Sequence, residues 1–236
     1  MTTQRTRRGR ISYRSQDPRQ AGVEHGRERF HMTFLADGRR TLSAVCESDD
    51  APAVLRHVVM TYAANGQPAE AFVRIDVGGD YLGSGWFDIR PETVSLEGRN
   101  AMAGRLSHRA ELTQPLAFIG CDPIVSDAWH MANYDLSKGP GRQHTHGLLS
   151  SADAAGKTGP MLWRLHTGMQ FVGPERIEVE AGVFDALHFQ IVDTAGQMQE
   201  EHPPYDIWTT SDGDYVALRS EGSGRRYELV ELFDGW

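Results

Sequence analysis

The sequence predicts an all-β protein: a large antiparallel curved sheet closing into a barrel, clam or sandwich around an apolar cavity, with little helix. Strand-length runs separated by turn residues recur from the first third of the chain to its end. Several of them alternate apolar and polar residues with a period of two, as a sheet with one wet face requires. No stretch sustains the 3.6-residue period of a long amphipathic helix.

The opening "MTTQRTRRGRISYR" is rich in arginine and has no acidic residue, so residues 1–26 are expected to form a basic, disordered tail. The strands then begin. "ERFHMTFLA", the turn "DGRR" and "TLSAVCE" form a hairpin pattern, and "VLRHVVMTY" follows directly. The Asn-Gly pair of "AANGQP" supports positive φ at low cost and leads into "AEAFVRIDV", which "GGD" turns into "YLGSGWFDI". "TVSLEG" and "GRLSHRAEL" continue the series.

The middle of the chain breaks the pattern. Residues 113–143 hold scattered glycines and prolines and no period of two, which predicts an irregular crossover with one short helix around "DPIVSDAWHM". Asp122 is the expected cap of that helix and Pro123 its first-turn residue. Strands resume with "HTHGLLSS", "PMLWRLHTGMQFVG", "ERIEVEAG", "VFDALHFQIVD", "YDIWTTSDG", "DYVALRSEG" and "RRYELVELF". Residues 27–236 therefore read as a single antiparallel β domain.

Over the C-terminal third, "VGPERIEVEAGVFDALHFQIVD" and "PPYDIWTTSDGDYVALRSEGSGRRYELVEL" resemble a pattern in uncharacterised bacterial β-rich domains related in shape to half-barrel lipoprotein carriers. There a strand ending in E-x-I-x-V-x-A-G-x-F-x-A precedes an aromatic-bearing strand and a W-x-x-x-D hairpin. The resemblance covers residues 170–232. It implies a curved antiparallel sheet around an apolar cavity and no particular reaction.

Composition narrows the function classes. A net charge of −8 and the lack of a recognisable basic module argue against nucleic-acid binding. No run approaches the roughly 18 apolar residues of a membrane span, and no apolar run follows the basic opening as a signal peptide requires. A cytoplasmic protein is the expectation, with no membrane partner. Cys46 and Cys121 are too few for a disulfide framework and are expected to be buried thiols.

"GRQHTHGLLSS" is the segment with most chemical potential. His144 and His146 share one face of a strand, about 7 Å apart at their Cα atoms. Such a pair suits a metal if a third donor is near, and His130, His166 and His188 are available. It also suits acid–base work, since imidazole titrates near neutral pH. Tyr134 and Asp135 in the crossover and Arg164 in "LWRLH" complete the candidate catalytic set. Antiparallel pairing of the two strands brings either His146 to His166 or His144 to Arg164. The plainer alternative is that these side chains face water.

Trp86, Trp129 and Trp163, with His130 and His166, are the candidate ligand-binding wall, and Met131, Met161 and Met169 would give it an adaptable surface. His202 opens "HPPY" and Asp206 follows it, and "HPPY" reads as a rigid lead-in to a strand. Ser150 and Ser151 lack a nucleophile-elbow context, and "GDYLGSGW" is a turn or bulge rather than a dinucleotide loop. Three readings follow. The first is a cofactor-independent lyase, dehydratase or isomerase acting on a small hydrophobic, possible aromatic, substrate. The second is a non-catalytic binder or carrier of such a molecule, and the third is a metal-dependent enzyme using His144 and His146. A homodimer covering an exposed sheet edge is the expected assembly.

Overall fold

In the computed structural model, residues 4–20, 22–152, 156–196 and 203–235 are described, the side chains of 193–196 excepted. The first half of the chain is a meander. It comprises Arg5–Ser15 (β1), Glu24–Phe34 (β2), Arg40–Ser48 (β3), Val54–Tyr62 (β4), Pro68–Val77 (β5), Asp80–Ile89 (β6), Thr93–Asn100 (β7) and Gly104–Glu111 (β8). The crossover holds Phe118–Gly120 (β9) and the helix Ile124–His130 (α1). A second meander follows: Gly141–Leu149 (β10), Trp163–Val179 (β11), Gly182–Gly196 (β12), Tyr205–Thr210 (β13), Ala217–Gly222 (β14) and Arg225–Asp234 (β15).

All the strands join one sheet in the order β8-β7-β6-β5-β4-β3-β2-β1-β15-β14-β13-β12-β11-β10-β9. The pairs are antiparallel except β9 with β10, whose parallel pairing needs a long crossover to bring the chain back. The sheet curls without closing by hydrogen bonds, so β8 and β9 are its two edges. "PMLWRLHTGMQFVG" and "ERIEVEAG", expected as two strands, form the single long β11. It is bent by a register shift at Phe171/Gly173, where Gly173 has φ 155°.

The expected disordered tail is corrected. Residues 5–15 form β1, which pairs with β2 on one side and with β15 on the other, and so joins the two meanders. The physical reason is charge supplied from far along the chain. Arg7 meets Asp214 and Asp234, each at 2.9 Å, and Arg14 meets Glu180 at 2.7 Å. Arg5 pairs with Asp214 and Arg10 with Glu24. None of the remote partners is visible in the local sequence, whereas Ile11 and Tyr13 supply the inward-facing apolar surface.

The concave face is the core. On β4 the residues Val54, Arg56, Val58, Met60 and Tyr62 are buried in alternation with exposed Leu55, His57 and Val59. The helix α1 lies inside the curve, with Val125, Ala128 and Trp129 fully buried. The Trp129 ring meets that of Tyr62 edge-on at 5.5 Å and sits under the Arg40 guanidinium at 4.7 Å. Pro160 lies against Gly83 and Gly85 on the inner face of β6, where a Cβ would come within 3 Å of it. Arg164 donates to the Glu111 carbonyl at 2.7 Å, tying the start of β11 to the end of edge strand β8. Among the described residues, no helix is long and apolar enough to cross a membrane.

Because β1 is bonded on both sides, deleting residues 1–15 is expected to abolish cooperative thermal unfolding as followed by circular dichroism. A melting temperature within two degrees of the full chain's, in the manner of a trimmed tail, would contradict this.

Candidate functional site

Between α1 and the concave sheet lies a cavity of about 920 Å³. Its apolar walls include Val54, Phe118, Ile124, Leu149, Leu165 and Met169. Its polar lining comes from α1, β1, β4, β13 and the segments beside them. Three groups organise it: Arg56 and the half-buried Asp127 belong to that lining, and buried Glu28 stands behind it.

Glu28 is the first. It follows the inward-facing alternation of β2 with Gly26, Phe30 and Met32, and is fully buried. Its carboxylate accepts from the Ile124 N–H at 2.9 Å, the Val125 N–H at 3.2 Å and the Tyr13 hydroxyl at 3.1 Å. The expected cap, Asp122, stands one residue before the N-cap position. Pro123 occupies the N-cap position, and Glu28 supplies the acceptor from a strand remote in sequence. Burial raises the Glu28 carboxyl to about 7, against the pull of these donors.

Arg56 is the second. It is also buried on the inward face of β4, where it pairs with Asp122 at 3.0 Å and donates to the Gly156 carbonyl. Asp122 holds a positive φ of 76°, and a Cβ on Gly156 would collide with both partners, so this close approach requires glycine.

Asp127 is the third. It accepts from the Tyr205 hydroxyl at 3.0 Å, and burial, aided by the charges of Asp122 and Glu28, pushes its carboxyl well above the ordinary range. One turn on, His130 Nδ1 lies 3.7 Å from Asp127, and its Nε2 lies 3.3 Å from the Ile119 carbonyl. A carbonyl only accepts, so Nε2 carries the hydrogen and Nδ1 is the free base. Burial drives the imidazole pKa down to about 3, which keeps it neutral. The Asp127 carboxyl, the Tyr205 hydroxyl and the neutral His130 imidazole thus converge at the cavity wall.

Of the ten sequence-predicted site residues, His130 lines this cavity and the others do not. Leu165, Thr167 and Met169 of β11 face it, which turns Arg164 and His166 to the outer face, and both are exposed. The register sets His146 opposite His166 with rings 4.2 Å apart, and sets Arg164 opposite Leu148, away from His144. His144 is exposed and His146 half-buried. Tyr134 is buried against Phe171 and Phe189, with its hydroxyl 2.9 Å from the Gly139 and Gly141 carbonyls. Asp135 accepts from the Ser137 N–H and hydroxyl in an exposed turn. Trp129 belongs to the core, Trp86 is exposed on the outer face of β6, and Trp163 is half-buried. Cys46 and Cys121 are buried thiols. Among the described residues, no three His, Cys, Asp or Glu side chains are grouped to hold a metal ion. His202 lies outside the described residues.

Glu28, Arg56 and Asp127 escaped the sequence reading, yet two of them carried a signal. In "HGRERFHM" and "VLRHVVM" a charged residue occupies the apolar phase of a period-two strand, and such a residue is buried only with dedicated partners.

No protein-family model and no curated protein matches the chain. Among solved structures, it is similar to a β-barrel-like protein of the domain of unknown function DUF1849 from Brucella abortus. That match has a TM-score of 0.62 at 11% identity and covers 97% of each chain. A DUF1089 family protein from Pseudomonas aeruginosa matches at a TM-score of 0.41 and 9% identity, over 83% of this chain and 89% of that one. The Brucella likeness is one of fold, and it spans the whole chain rather than the C-terminal third alone.

The Glu28 carboxyl makes stability depend on pH. Between an ordinary 4.5 and about 7 the folded chain holds a proton that the unfolded chain has released. This contribution is complete below 4.5 and is lost as pH rises through 7, by about 3 kcal/mol. Denaturant titrations at pH 4.5 and 7.5 should show Glu28→Gln losing about that much less unfolding free energy than the parent chain. Identical pH dependence in the two would contradict the assignment.

Proposed function

We propose that the protein binds a hydrophobic small molecule inside the half-barrel, with the apolar body against β10, β11 and α1 and a polar end toward the buried hydrogen-bonding groups. The observation that supports this reading is the cavity itself. At about 920 Å³ it falls within the range of small-molecule sites, and it combines apolar walls with a few convergent polar groups, as such sites do.

The Asp127–Tyr205–His130 cluster favours a second reading, acid–base turnover of the bound molecule. A lyase, dehydratase or isomerase step needs one group that gives a proton and one that takes it, and this cluster sets a carboxyl, a hydroxyl and an imidazole beside the cavity. The outer-face residues His144, His146, Arg164 and His166 have no part in it.

The binding reading is tested with the fluorescent probe N-phenyl-1-naphthylamine. One saturable site is expected, weakened at least tenfold by Leu165→Trp, which fills the cavity, and unchanged by His144→Ala/His146→Ala. Binding that ignores Leu165→Trp but falls with the histidine pair would overturn it. Turnover is tested in deuterium oxide with a panel of hydrophobic ketones. Proton NMR should show α-deuteration by the parent chain and at least hundredfold slower exchange in Asp127→Asn, whereas exchange that survives the substitution would remove the second reading.

A further inference from the structure

Like Glu28 and Arg56, Arg40 takes the inward phase of its strand, opening β3 in step with buried Leu42, Ala44 and Cys46. Glu28 and Arg56 meet dedicated partners there, the helix N–H groups and Asp122. Arg40 has none: no oxygen among the described residues hydrogen-bonds or ion-pairs with its guanidinium. The rings of Trp129 and Tyr62 lie 4.7 and 5.5 Å from it, but a cation–π contact engages the face of the ion and leaves its N–H donors unmatched. Asp214 attracts Arg40 without touching it, since both its oxygens accept from Arg5 and one lies 2.9 Å from Arg7.

Arg40 opens on a hollow of about 470 Å³ that shares no lining residue with the large cavity. The large cavity reaches β2 and β3 at His25 and Ser48, whereas the hollow lies at the opposite ends of these strands, beside Phe34 and Leu35. Arg40 is half-buried, and none of its side-chain nitrogens is sealed from solvent. Arg5 and Arg39 also line the hollow, but each has a carboxylate of its own, Asp214 and Asp37. The uncompensated charge is therefore that of Arg40, in a place with room for a small molecule.

We propose that this hollow binds the carboxylate of a small organic acid, with the Arg40 guanidinium as its charge partner and the apolar body against Phe34, Leu35 and Ala132. A carboxylate brings the one negative charge that Arg40 lacks, and its two oxygens match two parallel guanidinium N–H groups. A phosphate monoester would bring about two charges to a site with one to balance. The site is independent of the cavity-binding reading, and either stands if the other fails.

Phenylacetate and its neutral isostere phenylacetamide test it, titrated into the full chain by calorimetry at constant ionic strength. Phenylacetate should saturate one site at least tenfold more tightly than the amide, without displacing N-phenyl-1-naphthylamine. Arg40→Met, which keeps an apolar stem against Trp129, should abolish that preference. In the unaltered chain, the side-chain Nε–H resonance of Arg40 should shift with added phenylacetate and saturate with the calorimetric constant. If the two probes bind alike or not at all, if the preference survives Arg40→Met, or if the shifts fall on other arginines and spare Arg40, the inference is overturned. Tighter binding of phenyl phosphate than of phenylacetate would overturn the carboxylate assignment, and displacement of the naphthylamine in step with phenylacetate binding would move the acid to the large cavity and overturn the site.

Discussion

The architecture depends on one buried contact, the Glu28 carboxylate against the first N–H groups of α1. A sheet that curls without closing leaves a concave face that something must fill, because its inward residues are apolar and its two edges are unpaired. The short helix fills part of it. Its seven residues are too few to be stable alone, so it is held by tertiary contacts: Glu28 at its start and Trp129 packed on Tyr62 near its end. An unpaired carboxylate in that position would cost several kcal/mol, and the helix N–H groups and the Tyr13 hydroxyl are what make it tolerable.

The cavity is the space that this arrangement leaves open. α1 packs against β9, β13 and β14 and is tied to β2 through Glu28 and to β4 through Tyr62, while Leu149 of β10 and Leu165 and Met169 of β11 give the cavity an apolar wall. Glu28, Asp122 and Asp127 crowd their carboxyls into a small volume, where Arg56 pairs with Asp122 and burial, with the neighbouring charges, raises the Asp127 carboxyl well above its ordinary value. The same physics that seats the helix therefore raises the carboxyl of Asp127 beside it. Structure and candidate chemistry are coupled through one set of contacts.

Much of the fold was legible because period-two alternation and turn residues are local signals. β4 matches "VLRHVVMTY" from end to end, and the short helix falls where "DPIVSDAWHM" placed it. β1 was illegible because its arginines look unpartnered until Asp212, Asp214 and Asp234 arrive from the other end of the chain. The site was largely illegible for a related reason. Alternation shows that two residues share a face, but which face is inner is set by the register of the whole sheet. His144, His146 and His166 were grouped as they stand in space, yet on the outside.

The central claim is that the ligand site is the concave cavity and not the outer histidine face. Photo-crosslinking tests it most directly. A long-chain alcohol bearing a diazirine on its alkyl tail would be irradiated with the full chain, and the adducts located by mass spectrometry. The account predicts labelling of cavity-wall residues such as Leu165, Met169 and Ile124. Adducts concentrated on the outer face around His144, His166 and Trp86 would contradict it.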